Sequence, residues 1–158
     1  MLPLDLATQT LTACRARGDL VATAESCTGG LVAASLTAIA GSSDVVDRGF
    51  VTYSNSAKMD MLGVKSATLD AYGAVSEQVA AEMASGSLAH SAANIAVSVT
   101  GIAGPGGSDH KPEGRVCFGL ATATSVVTCT KEFGAIGRDK VRLAATECAL
   151  TALRDQTL

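Results

Sequence analysis

The sequence has no tryptophan and only two tyrosines and three phenylalanines among its 158 residues. It also has no run of basic residues. The 12 lysines and arginines are outnumbered by 15 acidic residues, and the net charge is −3. Nucleic-acid-binding surfaces require a cationic footprint and commonly use stacking aromatics. We therefore expect no nucleic-acid partner.

Long apolar runs are absent as well. No apolar stretch approaches the roughly 20 residues that a membrane-spanning helix needs, and no basic segment precedes an apolar one as in an export signal. We expect no membrane partner and a cytoplasmic location. Cysteine occurs five times at wide spacings without a C-x-x-C pair, and histidine only twice. This pattern predicts reduced, mostly buried thiols and no metal site.

Small and aliphatic side chains supply most of the 47% hydrophobic content. A chain of this length buries about 70% of its unfolded surface without disulfides or a structural metal, so we predict a single domain over 1–158. Apolar spacing, caps and glycine stops predict the elements. The predicted helices are 4–17, 31–40, a helix capped by Asn55 and ending at Gly63, 67–72, a helix capped by Ser76 and ending near 93, and 138–154. The predicted strands are 20–24, 47–54, 95–100 and a hairpin of 116–122 with 126–133. This order predicts an α/β fold, a three-layer α/β/α sandwich with a mixed β-sheet covered by helices on both faces.

Three polar stretches lie at or near predicted strand ends, where ligands of open α/β sheets collect. They are 25–30 (ESCTGG), 42–44 with 53–58 (SSD and YSNSAK), and 100–108 (TGIAGPGGS). The third lacks the G-K-[ST] ending of an ATP-binding loop, which disfavours ATP hydrolysis. Glycines and hydroxyls are also ordinary turn and cap residues, so Ser26 and Thr28 fit an anion site and a helix cap equally well.

A nucleophile and a base can be sought among these stretches. The candidate nucleophiles are Cys27, Ser26, Ser42 and Ser43. Because histidine is scarce, the remaining strong base is Lys58, which lies in a largely uncharged stretch where partial burial would lower its pKa. A solvated helix lysine is the alternative interpretation, and composition alone favours it.

Several blocks of the sequence, taken together and in order, resemble the CinA C-terminal family, whose characterised activity is nicotinamide mononucleotide amidase. The resemblance covers nearly the whole chain, from the first helix to the last. The blocks are TAESCTGG (23–30), AGSSDVVDRGFVTYSNSAKMDMLGV (40–64), GAVSEQVAAEMA (73–84), VSVTGIAGPGG (97–107), KPEGRV (111–116) and GRDKVR (137–142).

The resemblance implies hydrolysis of the carboxamide of nicotinamide mononucleotide to nicotinic acid mononucleotide and ammonia, without a cofactor. It implies Ser43 as the nucleophile, Lys58 as its base, and Tyr53 as a group that orients the lysine or relays a proton. It further implies Arg138 as the ligand of the substrate phosphate, with Arg142 as second choice. The residues expected to line the substrate site are Ser26, Thr28, Thr100, Gly101 and Gly104.

Two positions depart from the family pattern: Cys117 stands where relatives often have a bulky aromatic, and Gly137 replaces an acidic residue. Neither removes a residue assigned to bond cleavage. Two other functions stay open, a catalytically idle module that binds a nucleotide, and an amidase of a different small carboxamide. We also expect a homodimer, because the small chain carries surplus apolar surface.

Overall fold

The structure is a computed structural model that describes every residue from Met1 to Leu158. It contains six α-helices and five β-strands, with a short 3-10 helix at Ser42–Asp44. In chain order they are α1 (Leu4–Arg17), β1 (Val21–Glu25), α2 (Leu31–Thr37), β2 (Val46–Val51), α3 (Asn55–Leu62), α4 (Ser66–Tyr72), α5 (Glu77–Ala89), β3 (Ile95–Gly101), β4 (Arg115–Thr122), β5 (Val126–Glu132) and α6 (Arg138–Asp155).

The five strands form one sheet in the order β2-β1-β3-β4-β5. Strands β2, β1 and β3 are parallel, whereas β4 and β5 form the predicted antiparallel hairpin. Glu25, the last residue of β1, lies level with Val51 of β2 and with Val99 of β3. The carboxyl ends of the three parallel strands therefore meet at one edge of the sheet, and the predicted mixed sheet is confirmed.

Helices cover both faces of this sheet. Helices α1, α2 and α6 pack on one face around a cluster of 21 buried apolar residues, and α3, α4 and α5 pack on the other around a cluster of six. The first face thus holds most of the apolar core. The three-layer α/β/α architecture is confirmed. No helix combines the length and the apolar character that crossing a membrane requires.

Small residues let α5 lie directly on the sheet. The Ser98 hydroxyl in β3 donates to the Ala80 carbonyl in α5 at 2.6 Å. A Cβ atom at Gly119 in β4 would come within 2.5 Å of the same carbonyl oxygen, so only glycine fits there. The close approach agrees with a core built of small side chains rather than aromatics.

The end of β2 differs from its prediction. The strand stops at Val51, three residues before the predicted end at Ser54. The physical reason is a change of hydrogen-bond partner, because the carbonyls of Thr52 and Tyr53 accept from the Lys58 amine.

Three helix ends also differ, and one of them is the end of α5, which stops at Ala89 rather than near 93. Helix α3 is capped by Ser54, whose hydroxyl accepts from the Ala57 N–H at 3.0 Å, and Asn55 is its first helical residue rather than its cap. Helix α2 ends at Thr37, because residues 38–41 turn the chain into the 3-10 helix that precedes β2.

Candidate active site

A cavity of about 330 Å³ opens at the carboxyl edge of the parallel strands. Its walls come from the turn after β1, the start of α3, the connection between α4 and α5, the loop after β3 and the first turn of α6. Ser26, Tyr53, Lys58, Thr100 and Arg138 all line it. Gly101 and Gly104 line it too, so the topology brings seven of the predicted residues to one place, as the switch points of α/β sheets commonly do.

Lys58 is buried in the wall of this cavity, with 1% of its surface exposed. Its amine lies 3.0 Å from the Ser26 hydroxyl oxygen, 2.9 Å from the Thr52 carbonyl and 3.2 Å from the Tyr53 carbonyl. No carboxylate pairs with it. Burial lowers the pKa of this amine from 10.5 to about 8, and the nearby Cys27 thiol opposes that shift.

Ser26 is presented to Lys58 by a tight turn that follows β1. Its N–H donates to the Val99 carbonyl at 2.9 Å, which continues the pairing of β1 with β3 by one residue. Its carbonyl accepts from the Gly29 N–H at 3.0 Å and closes the turn. The main-chain N–H and carbonyl of Ser26 are therefore both held by hydrogen bonds, and its hydroxyl contacts the Lys58 amine.

Glu25, which sequence reasoning missed, holds the other side of this turn. Its buried carboxylate accepts from the N–H groups of Val32 at 2.9 Å and Ala33 at 3.0 Å, in the first turn of α2. This carboxylate occupies the N-terminus of α2, where the sequence analysis had considered either a bound anion or a hydroxyl cap. The sequence signal that could have identified Glu25 is its position, because an acidic residue ends an otherwise apolar strand.

Thr28 does not line the cavity, which corrects the prediction that it contacts the substrate. Its side chain is fully buried and its hydroxyl has no protein partner. It makes no cap for α2, because Glu25 already accepts the free N–H groups of that helix.

Ser43 is not brought to Lys58, which corrects the predicted pairing. It is exposed on the 3-10 helix before β2, whereas two partners of Lys58 lie after β2 and the third, Ser26, lies after β1. The six residues of β2 separate the two ends of the strand by about 20 Å. The neighbouring Ser42, another candidate nucleophile, lies on the same 3-10 helix, and its N–H donates to the Ile39 carbonyl.

Tyr53 and Arg138 meet at the mouth of the cavity. An Arg138 nitrogen lies 3.2 Å from the Tyr53 hydroxyl, and another donates to the Gly104 carbonyl at 2.7 Å. The tyrosine is 62% exposed, and it contacts Lys58 through its main-chain carbonyl, not through its hydroxyl. Tyr53 thus orients the lysine by its backbone, while its ring borders the entrance.

Arg142, one turn further along α6, does not line the cavity. Its guanidinium donates to the carbonyls of Cys27 at 3.0 Å and Thr28 at 3.2 Å, behind the turn that carries Ser26. This placement corrects the prediction of Arg142 as a phosphate ligand.

Residues 4–157 match the family described as the CinA C-terminal domain. The chain belongs to the CinA C-terminal domain family. The resemblance predicted from the sequence blocks is confirmed.

Similar proteins cover nearly the whole of this CinA C-terminal domain. A protein of Escherichia coli strain K12 named nicotinamide-nucleotide amidohydrolase PncC is 52% identical over 156 residues, which are 98% of this chain and 94% of that protein. One of the same name from Enterobacter agglomerans is 55% identical over 145 residues, 90% of this chain and 88% of that protein. The crystal structure of the competence/damage inducible protein CihA from Agrobacterium tumefaciens superposes with a TM-score of 0.92 at 52% identity, covering 97% of this chain and 96% of that one.

The glycine-rich loop of this CinA C-terminal domain forms one wall of the cavity. The Thr100 hydroxyl donates to the Ala74 carbonyl at 2.8 Å, and Gly101 and Gly104 line the cavity. Gly104 has a φ of +91°, and a Cβ there would come within 2.6 Å of the Glu113 carboxyl group. The loop therefore folds closely upon itself.

Two further cavity residues, Lys111 and Asn55, were not among the predicted site residues. The Lys111 amine donates to the carbonyls of Tyr72 and Val75, each at 2.6 Å, and ties the glycine-rich loop to the connection between α4 and α5. No local pattern marks such a residue, because its partners are main-chain oxygens distant in sequence.

The thiols of this CinA C-terminal domain lie at the margin of the site or outside it. Burial raises the pKa of the Cys27 thiol to about 11, so it stays protonated beside Ser26. Cys117 is buried on β4 with its sulfur 3.5 Å from the Thr130 hydroxyl and does not line the cavity. No group of three or more His, Cys, Asp or Glu side chains is arranged to hold a metal ion.

Proposed function

We propose that this protein hydrolyses the carboxamide of nicotinamide mononucleotide to nicotinic acid mononucleotide and ammonia. The observation that carries the proposal is the contact of a buried, unpaired amine, that of Lys58, with the Ser26 hydroxyl inside a cavity. The names of the two amidohydrolase relatives support the choice of substrate. Burying a lysine without a counter-charge costs free energy, and a module that only binds a nucleotide would not need such a residue.

The hydrogen bonds of Lys58 favour its role as a base. A neutral amine has two N–H groups and one lone pair. The carbonyls of Thr52 and Tyr53 can only accept hydrogen bonds, so they take the two N–H groups. The lone pair is left for the hydroxyl hydrogen of Ser26, the third partner. Lys58 thus acts as general base, and Ser26 rather than Ser43 is the nucleophile.

The reaction then proceeds in two halves. Lys58 takes the proton of Ser26 as the serine oxygen attacks the carboxamide carbon, and the protonated amine returns that proton to the departing nitrogen. The C–N bond breaks, ammonia leaves and an ester to Ser26 remains. Lys58 next takes a proton from water as the water oxygen attacks the ester. The bond to the Ser26 oxygen then breaks, the protonated amine returns its proton to that oxygen, and the acid product leaves and ionises to the carboxylate.

The main-chain N–H next to Ser26 is the proposed oxyanion donor. It belongs to Cys27, which follows the nucleophile directly and lines the cavity, and it donates to no main-chain carbonyl. Losing one such donor typically costs about 10²–10³ in rate.

Arg138 is the proposed ligand of the substrate phosphate. Its guanidinium fork lies at the cavity mouth on neutral oxygens only, so it is free to exchange them for a phosphate. Thr100, Gly101 and Gly104 line the remaining wall. The cationic pyridine ring of the substrate withdraws electrons from the carboxamide, and we propose no cofactor. We further propose that residues 1–158 act as a single amidohydrolase domain in a cytoplasmic homodimer.

A pair of serine variants tests the assignment. We expect Ser26→Ala to lower kcat for ammonia release from nicotinamide mononucleotide by at least about 10³-fold, because the nucleophile is lost. Ser43→Ala is the matched control and should stay within about twofold of wild type. Loss of activity in Ser43→Ala with retention in Ser26→Ala would show that the pairing is wrong.

Substrate comparison separates the alternatives. Ammonia release from nicotinamide mononucleotide but not from free nicotinamide supports the proposed enzyme and its phosphate ligand. Tight binding without turnover supports the idle module. Turnover of another small carboxamide alone supports an amidase of different specificity.

A further inference from the structure

We propose that Asn55 is a catalytic residue whose side-chain N–H donates to the oxygen of the substrate carboxamide as negative charge develops there. The inference rests on the proposed function, because it takes Ser26 as the nucleophile and Lys58 as its base. It concerns a residue that lines the cavity and whose side chain forms no hydrogen bond with the protein.

Asn55 lies on the inward face of α3, although its side chain is exposed. Positions 55, 58 and 62 are spaced by three and four residues, so they share one face of the helix. Lys58 and Leu62 are the two buried residues of α3, and this face therefore packs against the rest of the protein. Asn55 is exposed because the cavity lies in front of it. Its amide thus borders the space that the substrate is proposed to fill.

The Lys58 amine lies beside the start of this helix. Long side chains of a helix lean toward its N-terminus, and that of Lys58 reaches back to the carbonyls of Thr52 and Tyr53, which precede α3. It therefore passes along the first turn, to which Asn55 belongs. The same amine contacts the Ser26 hydroxyl at 3.0 Å, so Asn55 lies next to the place where the carboxamide reacts.

No structural role accounts for an asparagine at the start of α3. Asparagine favours helix caps and is a poor helix former, but Ser54 already caps α3 through its hydroxyl. The other asparagine of the chain, Asn94, uses both ends of its amide, accepting from the Leu20 N–H at 2.7 Å and donating to the Asp19 carboxylate at 3.2 Å. Asn55 has no such partners, so its amide is free to bind a ligand.

The oxyanion needs a donor beyond the one that the main chain supplies. Oxyanions in acyl transfer are commonly bound by more than one donor, and asparagine side chains serve this purpose. The main chain next to Ser26 supplies the N–H of Cys27. The Thr100 hydroxyl already donates to the Ala74 carbonyl. Because a bond to the oxyanion strengthens as charge develops, the second donor should affect kcat more than KM.

Two substitutions of Asn55 test the inference. Asn55→Ala removes the donor, and we expect kcat to fall about 10²–10³-fold with KM within about threefold of wild type. Stability should not fall, since alanine favours a helix more than asparagine does. Asn55→Asp keeps the shape, replaces the donor by an acceptor and brings a negative charge near Lys58. We expect kcat to fall at least as far, and the midpoint of the pH–rate profile to rise.

Ser56 provides the matched controls, because it is exposed on the same turn of α3 and does not line the cavity. Ser56→Ala should leave kcat and KM unchanged. Ser56→Asp places the same charge in solvent and should move the pH midpoint much less than Asn55→Asp does. The measurements are ammonia release from nicotinamide mononucleotide across a range of pH and thermal unfolding of each variant.

The possible outcomes are distinct. A lower kcat of Asn55→Ala at unchanged Tm, with a raised midpoint in Asn55→Asp, supports the inference. A rise in KM with unchanged kcat would make Asn55 a contact of the ribose or phosphate and overturn it. An equal loss in Ser56→Ala, or a loss of kcat with a lower Tm, would reduce its role to structure and also overturn it. Full activity of Asn55→Ala overturns this inference alone, whereas a wild-type protein that releases no ammonia overturns the proposed function with it.

Discussion

The protonation state of one amine, that of Lys58, should set the pH dependence of the reaction. Burial lowers its pKa to about 8, so only about a tenth of it is neutral at pH 7. We expect kcat/KM to rise roughly tenfold between pH 7 and pH 9 and to level off above pH 8. The measurement is a pH–rate profile with folding checked by circular dichroism at each pH. The Cys27 thiol, with its pKa near 11, does not titrate in this window. A profile that is flat or falls from pH 7 to pH 9 contradicts the role of Lys58 as the base.

Burial of the Lys58 amine should also make the free energy of unfolding depend on pH. The folded-state pKa of Lys58 is depressed, so between about pH 8 and pH 10.5 the unfolded chain binds a proton that the folded one does not, and stability rises with pH. We expect the free energy of unfolding of wild type, relative to Lys58→Met, to increase by about 2.5 kcal/mol from pH 7 to pH 10. Denaturant titrations of both proteins at the two pH values measure it, and all other titrations cancel in the difference. An unchanged difference would mean that the amine is not desolvated.

At the residue scale, the uncharged stretch around Lys58 allowed a buried lysine, but composition favoured a solvated one, and the resemblance to the family pointed to the base. The sequence did not identify its partner, since Ser26 and Ser43 both precede or follow predicted strands and both lie in small polar turns. The choice depends on β1 and β2 being parallel neighbours, so that the end of one meets the end of the other. Glu25 and Arg142 were missed or misassigned for a related reason: their partners are main-chain groups, which leave no signature in side-chain type.

At the scale of elements, apolar periodicity and glycine stops were sufficient to predict every helix and strand and the layered sheet. The ends were less predictable where a side chain competes for the backbone. Strand β2 stops where Lys58 takes its carbonyls, and α2 begins where Glu25 accepts its first N–H groups. Lys58 and Glu25 both belong to the site, so the hydrogen bonds of site residues determine the end of β2 and the start of α2.

The position of α3, and with it Lys58, depends on a close contact with α5. A Cβ at Gly86 in α5 would lie 1.9 Å from the Leu62 carbonyl at the end of α3. We expect Gly86→Ala to push the helices apart, lowering the free energy of unfolding by about 1–3 kcal/mol and reducing kcat, although alanine favours a helix over glycine. Urea unfolding and ammonia release measure the two effects. Ser85→Ala, at an exposed position of α5, is the control, and a stabilised, fully active Gly86→Ala would refute the contact.

At the scale of the whole molecule, charge is distributed unevenly. The chain carries a net charge of −3, yet Lys58, Arg138 and Arg142, all without carboxylate partners, lie around one edge of the sheet. Ion pairs neutralise the other five arginines, so the two unpaired guanidinium groups of the chain both lie at this edge. An anionic substrate is therefore attracted to the site although the protein as a whole is acidic.

If the protein forms the proposed homodimer, we expect the second copy to bind at the β5 edge of the sheet. On β5, an edge strand, Val126 and Val127 are 44% and 43% exposed, and unpaired main-chain groups run beside them. Adjacent exposed apolar residues on a free edge favour pairing with another chain. We expect light scattering after gel filtration to give about 32 kDa, twice the 15.8 kDa of one chain, and Val127→Lys to give a monomer while the exposed Ala16→Lys on α1 does not. A single-chain mass for wild type at tens of micromolar would refute the dimer, and a dimeric Val127→Lys would move its interface away from β5.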